Sequence, residues 1–156
     1  MIQFFTQNSE MILRLVIAMS LGLIIGAERF LVHKDAGMKT YALVSLGSAL
    51  FVIISEMIAL KYETLGGFDP ARIASQIIVG IGFLGAGSII LSGSRLKGLT
   101  TAGGLWVMAG IGMASGFGLF SLALIATIFV LFVFVIIAIV EKPIRKMAEK
   151  NDEFAD

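Results

Sequence analysis

Residues 69–106 read DPARIASQIIVGIGFLGAGSIILSGSRLKGLTTAGGLW, and this segment decides the fold. It places four glycines, Gly80, Gly82, Gly85 and Gly87, in an apolar run long enough to cross a lipid bilayer. Because a glycine costs about 1 kcal/mol relative to alanine inside a helix, the run must gain stability elsewhere. Close approach of a second helix in lipid supplies such a gain. We therefore predict a membrane helix whose glycines form a packing surface.

The composition of the whole chain agrees with a place in the lipid bilayer. Of its 156 residues, 58% are hydrophobic and 15% are charged, which is typical of membrane proteins. A chain of this length forms one domain without room for a separate soluble catalytic module, so we do not expect an enzyme. The absence of cysteine excludes disulfides, thiolate chemistry and cysteine-ligated metals. Because no basic residue precedes the first apolar run, we predict no cleaved signal peptide.

Five apolar runs have the length that a membrane-spanning helix needs. They are Met11–Ala27, Tyr41–Leu60, Ile73–Leu91, Leu99–Gly116 and Leu119–Val140. No charged residue separates the last two, but one helix through both would be about 60 Å long, twice the hydrocarbon thickness, so we expect a turn at residues 116–118. The sequence thus predicts an all-α polytopic membrane domain at residues 1–140 and a short cytoplasmic tail at residues 141–156.

The positions of Lys and Arg predict the orientation of the chain. With five crossings and the N-terminus outside, nine of the twelve lie on the cytoplasmic side. These nine are Arg29, Lys34, Lys39, Arg95, Lys97, Lys142, Arg145, Lys146 and Lys150, against Arg14, Lys61 and Arg72 outside. Four crossings would move the last four of the nine across, giving five inside and seven outside, contrary to the positive-inside rule. We therefore expect the C-terminus to be cytoplasmic.

Small residues recur four positions apart on several predicted helices. The predicted packing residues are Gly22, Gly26, Gly80, Gly82, Gly85, Ala86, Gly87, Gly110, Ala114 and Gly118. Such ridges let two helix backbones touch. They serve either packing within the bundle, which we favour, or association of two copies of the chain, and both uses can hold at once. A homo-oligomer, with a dimer favoured, is therefore an expected partner besides the bilayer itself.

Ionisable residues inside a membrane are costly and need partners, so the few present here are the candidate functional residues. A predicted outer polar cluster contains Arg14, Glu56, Asp69, Arg72 and Gln76. Within it, we expect Arg14 to form an ion pair with Glu56 or with Asp69. Asp69 and Pro70 also resemble a helix start, with Asp69 as the N-cap and Pro70 in the first helical position.

A predicted cytoplasmic polar cluster lies at the opposite ends of the helices. Its members are Glu28, Arg29, Lys39, Thr40, Arg95, Lys97, Thr100 and Thr101. A helix that begins near Thr100 points its free N–H groups toward the cytoplasm, where they can receive Glu28 or a small anion. The alternative is that these side chains are interface charges that reach for water. Tyr41 is expected at the membrane interface as a belt residue.

The sequence offers no recognisable catalytic, cofactor or metal site. Glu28, Glu56 and Asp69 are divided between opposite faces, which argues against a magnesium site in one chain. His33 is a lone histidine in a charged loop. The glycines at residues 80–87 have no strand-helix context that would make them a nucleotide-binding loop, and no nucleic acid partner is expected.

Four motifs together resemble the MgtC/SapB family of bacterial inner-membrane proteins. They are GLIIGAERF at Gly22–Phe30, GMKTYALVSLGSALF at Gly37–Phe51, DPARIASQIIVGIGFLGAGSII at Asp69–Ile90 and KGLTTAGGLWVMAGIGMASGFG at Lys97–Gly118. The family usually has a further acid after Glu-Arg, an Arg at position 39 and alanine near positions 103–104. This chain has Phe30, Lys39 and Gly103–Gly104 there.

The resemblance implies a five-helix inner-membrane domain whose longer relatives carry a cytoplasmic C-terminal domain; this chain is expected to be a short form. It also implies a role in growth at low magnesium, in survival inside host cells and in modulation of other membrane proteins, including ATP synthase. The first hypothesis is a non-enzymatic modulator that contacts other helices through its glycines. The second is a small ion or solute transporter that works as a homodimer, with the outer polar cluster lining a vestibule.

Overall fold

The computed structural model describes residues 8–62, 69, 71–93 and 95–140. These residues form five α-helices and one β-hairpin with their connections. The helices are α1 (Ser9–Leu31), α2 (Met38–Lys61), α3 (Ala71–Gly87), α4 (Leu99–Gly116) and α5 (Phe120–Phe132). A π-helical segment, Val133–Ile137, continues α5. Strands β1 (Ile90–Ser92) and β2 (Arg95–Lys97) form an antiparallel hairpin between α3 and α4. The predicted tail at residues 141–156 lies outside the described residues.

Helix α4 is the centre of the bundle, and it contacts each of the other four helices. More than half of its length is buried, including Leu105, Met108 and Ile111 in the apolar core. Its glycines, its alanines and Ser115 make it narrow enough for neighbours to surround it on several sides. The core therefore lies around α4, and the outer helices present their remaining apolar side chains outward.

Glycines place the backbones of α1, α2 and α4 in direct contact. A Cβ atom built on Gly22 of α1 would lie 2.7 Å from the Cα of Ala42, and one on Gly26 would lie 2.5 Å from the Cα of Met38. On α4, a Cβ at Gly116 would lie 2.8 Å from the carbonyl oxygen of Ala49. No side chain fits at these positions without moving a helix. The predicted close packing through Gly22 and Gly26 is therefore confirmed.

Helix α3 lies at the edge of the bundle. Only Ile81 and Gly85 of this helix are buried, and a Cβ at Gly85 would meet Ala102 of α4 at an ordinary 3.7–3.9 Å. The remaining small residues of the predicted ridge on this helix, Gly80, Gly82, Ala86 and Gly87, are exposed. Within the described part of the chain, nothing lies within 4 Å of a Cβ built on Gly80, Gly82, Gly87 or, on α4, Gly110. The favoured interpretation, packing within the bundle, is wrong for these four glycines.

The end of α3 and the place of Gly118 differ from the sequence prediction. The third apolar run was expected to be helical to Leu91, but α3 ends at Gly87 because Ile90–Ser92 pairs with Arg95–Lys97 instead. Gly118 was expected on the small-residue ridge of the fourth helix beside Ala114, which is buried there. Instead, α4 ends at Gly116 and Gly118 has a φ of +73° in the turn to α5, a conformation that favours glycine. The turn itself lies at residues 116–118, where it was predicted.

Three of these helical segments are long and apolar enough to cross a membrane: α1, α2 and Phe120–Val140. Helix α3 is apolar but shorter, with 17 residues. The chain is thus a largely helical membrane protein, whereas five crossings and the direction of the chain stay predictions.

Candidate functional site

Charged side chains gather at both ends of the helical bundle, and each end is defined here by one arginine. The Arg14 end contains the start of α1, the end of α2 and the turn from α4 to α5, because Arg14 contacts Glu56 and Gly116. The Arg29 end contains the end of α1, the start of α4 and the π-helical segment. There, Arg29 contacts Phe134, and Phe134 lies against Gly104.

At the Arg14 end, one guanidinium group joins three helices. Arg14 Nη1 donates to Glu56 Oε2 at 2.5 Å and to the carbonyl oxygen of Gly116 at 2.8 Å, while Nη2 donates to Glu10 Oε1 at 2.6 Å. The Arg14 side chain is 16% exposed and that of Glu56 is 32% exposed, so this pair is partly shielded from solvent. The Gly116 carbonyl is at the C-terminus of α4, where the helix dipole attracts a cation. Arg14 thus fixes α1 to α2 and α4.

The predicted outer polar cluster divides into two parts. Glu56 and Asp69 were the two partners left open for Arg14, and the ion pair in the structure is with Glu56. Asp69 instead accepts a hydrogen bond through Oδ1 from the backbone N–H of Ala71 at 2.9 Å, which agrees with the predicted helix-capping role; Pro70 lies outside the described residues. Arg72 and Gln76 are exposed on α3, and no hydrogen bond joins either to Arg14 in the described ranges.

At the Arg29 end, a buried ion pair lies against an aromatic ring. Arg29 is 3% exposed, and its Nε and Nη2 donate to the two carboxylate oxygens of Glu28, the second at 2.5 Å. The guanidinium carbon lies 3.6 Å from the centroid of the Phe134 ring. A cation over an aromatic face in a site shielded from water is stabilised by about 2 kcal/mol. Among the described residues, Arg29 is the one charged side chain that is almost completely buried, and Glu28 and Phe134 stabilise its charge.

The π-helical segment explains how Phe134 reaches Arg29. Its neighbours Phe132, Val133 and Val135 are 39–55% exposed, whereas Phe134 is 7% exposed. A wider turn shifts the side chains out of the ordinary helical register, and such turns are frequent at functional sites. The sequence analysis missed Phe134, since the uniform apolar run at residues 119–140 contains no residue that marks it.

Tyr41 and Ser45 place polar atoms inside the α2–α4 contact. Both residues are fully buried, and neither hydroxyl has a hydrogen-bond partner among the described residues. The Tyr41 ring reaches Gly104, where any Cβ would overlap its hydroxyl. The expectation that Tyr41 is an interface belt residue is therefore wrong, because the missing side chain at Gly104 leaves room for the ring in the core.

The other residues of the predicted cytoplasmic polar cluster do not join Arg29. Those at the surface are Lys39, Thr40, Arg95, Lys97 and Thr100, whereas Thr101 is buried. The N-cap of α4 is Gly98, without a side-chain hydrogen bond. Glu28, which the sequence analysis offered beside a small anion as a group for this helix end, instead accepts hydrogen bonds from Arg29 with both carboxylate oxygens.

Two grooves open on the sides of the bundle. One, of about 490 Å³, lies between α2 and α3 and has Ser48 and Gln76 among its lining residues. The other, of about 470 Å³, lies between α4 and α5 and is almost wholly apolar. Across residues 8–62, 69, 71–93 and 95–140, no three His, Asp or Glu side chains lie close enough together to hold a metal ion.

Comparison with known proteins identifies the family. The family model described as the MgtC family matches residues 15–143. The chain belongs to the MgtC family. The matched range holds Glu28, Arg29 and Phe134 at one end of the bundle and Glu56 at the other, whereas Arg14 directly precedes it.

Curated relatives of this MgtC-family chain include three bacterial proteins. "Putative magnesium transporter YhiD" of Escherichia coli K12 is 40% identical over 131 residues, covering 81% of this chain and 60% of that protein. "Protein MgtC" of Salmonella typhimurium LT2 is 48% identical over 120 residues, covering 77% and 49%. "Protein MgtC" of Brucella abortus is 44% identical over 114 residues, covering 73% and 45%. The chain therefore spans about half of the length of these relatives. No solved structure matches it.

Proposed function

We propose that this MgtC-family chain acts without catalysis in a bacterial inner membrane, where it modulates other membrane proteins by helix packing. A second copy of the chain is the first expected partner, as a homodimer. The observation that carries this proposal is that three exposed glycines of α3, Gly80, Gly82 and Gly87, have no neighbour within 4 Å of a built Cβ atom among the described residues. The process that this packing serves is ion homeostasis under low magnesium or stress.

The exposed glycines of α3 reduce the stability of that helix. Glycines inside a helix cost about 1 kcal/mol each relative to alanine, and within the described residues these three make no close contact that offsets this cost. In lipid, small residues stabilise helix association because they let backbones approach. Val79 and Phe83, one turn apart on the outward side of α3, are 69% and 82% exposed. A partner helix packed on this side would bury both.

The magnesium part of the proposal comes from the relatives. The E. coli relative carries magnesium transport in its name. This chain spans only part of each relative, so their whole activity does not transfer with the fold. Within the described residues, the two arginines that are buried or partly buried, Arg14 and Arg29, are neutralised by Glu56 and Glu28 at the bundle ends rather than lining a path, which favours modulation over transport.

A cysteine cross-linking experiment tests the packing proposal. The chain has no cysteine, so Phe83→Cys introduces a single reporter next to Gly82 on the exposed side of α3. In bilayers, Gly82→Leu in this background should reduce disulfide-linked dimer about tenfold, which corresponds to about 1.4 kcal/mol. Gly103→Leu is the matched control, because Gly103 is another exposed helical glycine with nothing within 4 Å, but on α4. Unchanged cross-linking by a folded Gly82→Leu variant would contradict the proposal.

The alternative is a small ion or solute transporter that functions as a homodimer. The groove between α2 and α3, with Ser48 and Gln76 in its lining, and the name of the E. coli relative favour it. A path between α2 and α4 is disfavoured, because Gly112 and Gly116 bring the two backbones together there. Flux of magnesium, protons or phosphate into liposomes that contain the purified chain would support transport. If none of the three ions enters the liposomes, modulation remains the better explanation of the function.

A further inference from the structure

The β-hairpin between α3 and α4 has its two leucines on one face and its two cations, together with Ile90, on the other. In its antiparallel register, Leu91 lies opposite Leu96, while Ser92 lies opposite Arg95 and Ile90 opposite Lys97. Side chains alternate between the two faces of a strand, so Leu91 and Leu96 share one face. These two leucines are 67% and 58% exposed. The hairpin thus presents an apolar pair on one side and both of its cations on the other.

The attachment of the hairpin to the bundle is tight. Ser88 and Ile89 donate backbone hydrogen bonds to Gly85 and Ala86 at the end of α3, at 3.1 and 3.0 Å. On the other strand, Gly98 has a φ of +89° and lies so close to the Ser88 carbonyl that a Cβ atom would overlap it. The hairpin is therefore fixed between the end of α3 and the start of α4, both of which are apolar helices.

The hairpin lacks enough contacts of its own to be stable in water. All six strand residues are exposed, and a single two-stranded hairpin is at best marginally stable in water. It cannot sink fully into hydrocarbon either, because its two edges carry unpaired backbone groups that must be hydrogen-bonded. The membrane interface satisfies both demands, since it offers water to the backbone edges and acyl chains to the leucines.

Charge selects the kind of surface that fits. The two ionisable residues described in the hairpin, Arg95 and Lys97, are both cationic, and neither forms an ion pair within the described residues. Cationic side chains beside a membrane helix attract anionic lipid headgroups. Leu99, at the start of α4 next to the hairpin, is a further exposed apolar side chain, at 55%.

We propose that this hairpin is an anchor for anionic lipid at the Arg29 end of the bundle. Leu91 and Leu96 enter the upper acyl region, and Arg95 and Lys97 bind lipid phosphates. The role is independent of the exposed glycines of α3, since it needs only one copy of the chain.

Depth measurements test the position of the leucine face. Leu96→Cys and Lys34→Cys each supply one attachment point for a nitroxide, because the chain has no cysteine. In nanodiscs that contain phosphatidylglycerol, the label at position 96 should be more accessible to oxygen than to a water-soluble nickel complex. The label at position 34, in the exposed α1–α2 loop at the same end, should show the reverse. Equal accessibility at the two positions would overturn the proposal, and the hairpin would then be free for a protein partner.

Lipid selectivity tests the cationic face. Spin-labelled phosphatidylglycerol and phosphatidylcholine report the relative association constants of the two lipids with the chain. Arg95→Gln together with Lys97→Gln should reduce the preference for phosphatidylglycerol about fivefold per charge removed. The matched control, Lys34→Gln with Lys39→Gln, removes two exposed charges at the same end and should leave most of the preference in place. Equal losses in the two variants would show general electrostatic attraction and overturn the hairpin site.

Discussion

The guanidinium carbon of Arg29 lies 3.6 Å from the centroid of the Phe134 ring. These residues belong to the first helix and to the π-helical continuation of the last, so the contact closes the bundle across 105 positions of sequence. Glu28 neutralises the arginine from the side, and the Phe134 ring covers one face of the guanidinium group. A charge held this way needs all three groups, because a buried guanidinium without partners is costly.

Phe134→Leu should destabilise the protein by about 2 kcal/mol, because leucine removes the aromatic face under Arg29. The measurement is unfolding by SDS in mixed micelles. Phe132→Leu is the matched control, since Phe132 is 55% exposed on the same segment, and it should change stability by less than about 0.5 kcal/mol. Equal effects of the two substitutions would show that the stacking contributes nothing.

Glu56→Gln should destabilise the Arg14 end by about 2 kcal/mol, between the values typical of exposed and of buried ion pairs. Arg14 would lose its interhelical charge partner while remaining largely buried. Glu10→Gln removes the other carboxylate, which is 74% exposed, and should cost under about 0.5 kcal/mol. The same SDS titration compares the two variants. A larger loss for Glu10→Gln would contradict the assignment of Glu56 as the structural partner.

Gly112→Ala should destabilise the bundle by about 3 kcal/mol, because the added methyl group would overlap the Ser45 backbone of α2. Gly110→Ala, two positions away on the same helix, meets open space and should stabilise α4 by up to about 1 kcal/mol. Thermal unfolding in detergent distinguishes the two directions. Destabilisation by both substitutions would mean that a second chain fills the space at Gly110.

Tyr41→Phe should leave the protein as stable or stabilise it by about 1 kcal/mol, because it removes a buried hydroxyl that has no partner in the described part of the chain. Tyr62 follows the end of α2 and is 45% exposed, so Tyr62→Phe should have no measurable effect on stability. Unfolding in mixed micelles measures both. A loss of more than about 1 kcal/mol for Tyr41→Phe would indicate that the hydroxyl bonds a buried water molecule.

Local chemistry made part of the site predictable from sequence. Arg14 and Glu56 are costly in lipid unless paired, and few opposite charges were available at that end. Asp69 before Pro70 is a common helix start, and the bond from Ala71 agrees with it. The turn at residues 116–118 followed from length alone, since one helix could not contain both apolar runs.

The orientation of apolar side chains was not predictable in the same way. Lipid is as apolar as a helix interface, so hydrophobicity does not tell Phe134 from Phe132, or Tyr41 in the core from a tyrosine in the interface. The glycines behave alike in sequence. Gly22 touches a neighbouring backbone and Gly82 touches nothing within the described chain, although both stand in similar small-residue patterns.

By itself, the sequence determined that this chain forms apolar helices. It also determined which charged residues need partners and at which residues one helix must turn into the next. These features were predictable because length, charge and capping act locally. Only the tertiary structure decided which glycines lie against a neighbouring helix backbone and which aromatic ring covers Arg29. It also decided that residues 90–97 form a hairpin. These depend on van der Waals fit between residues far apart in the chain, which no local pattern records.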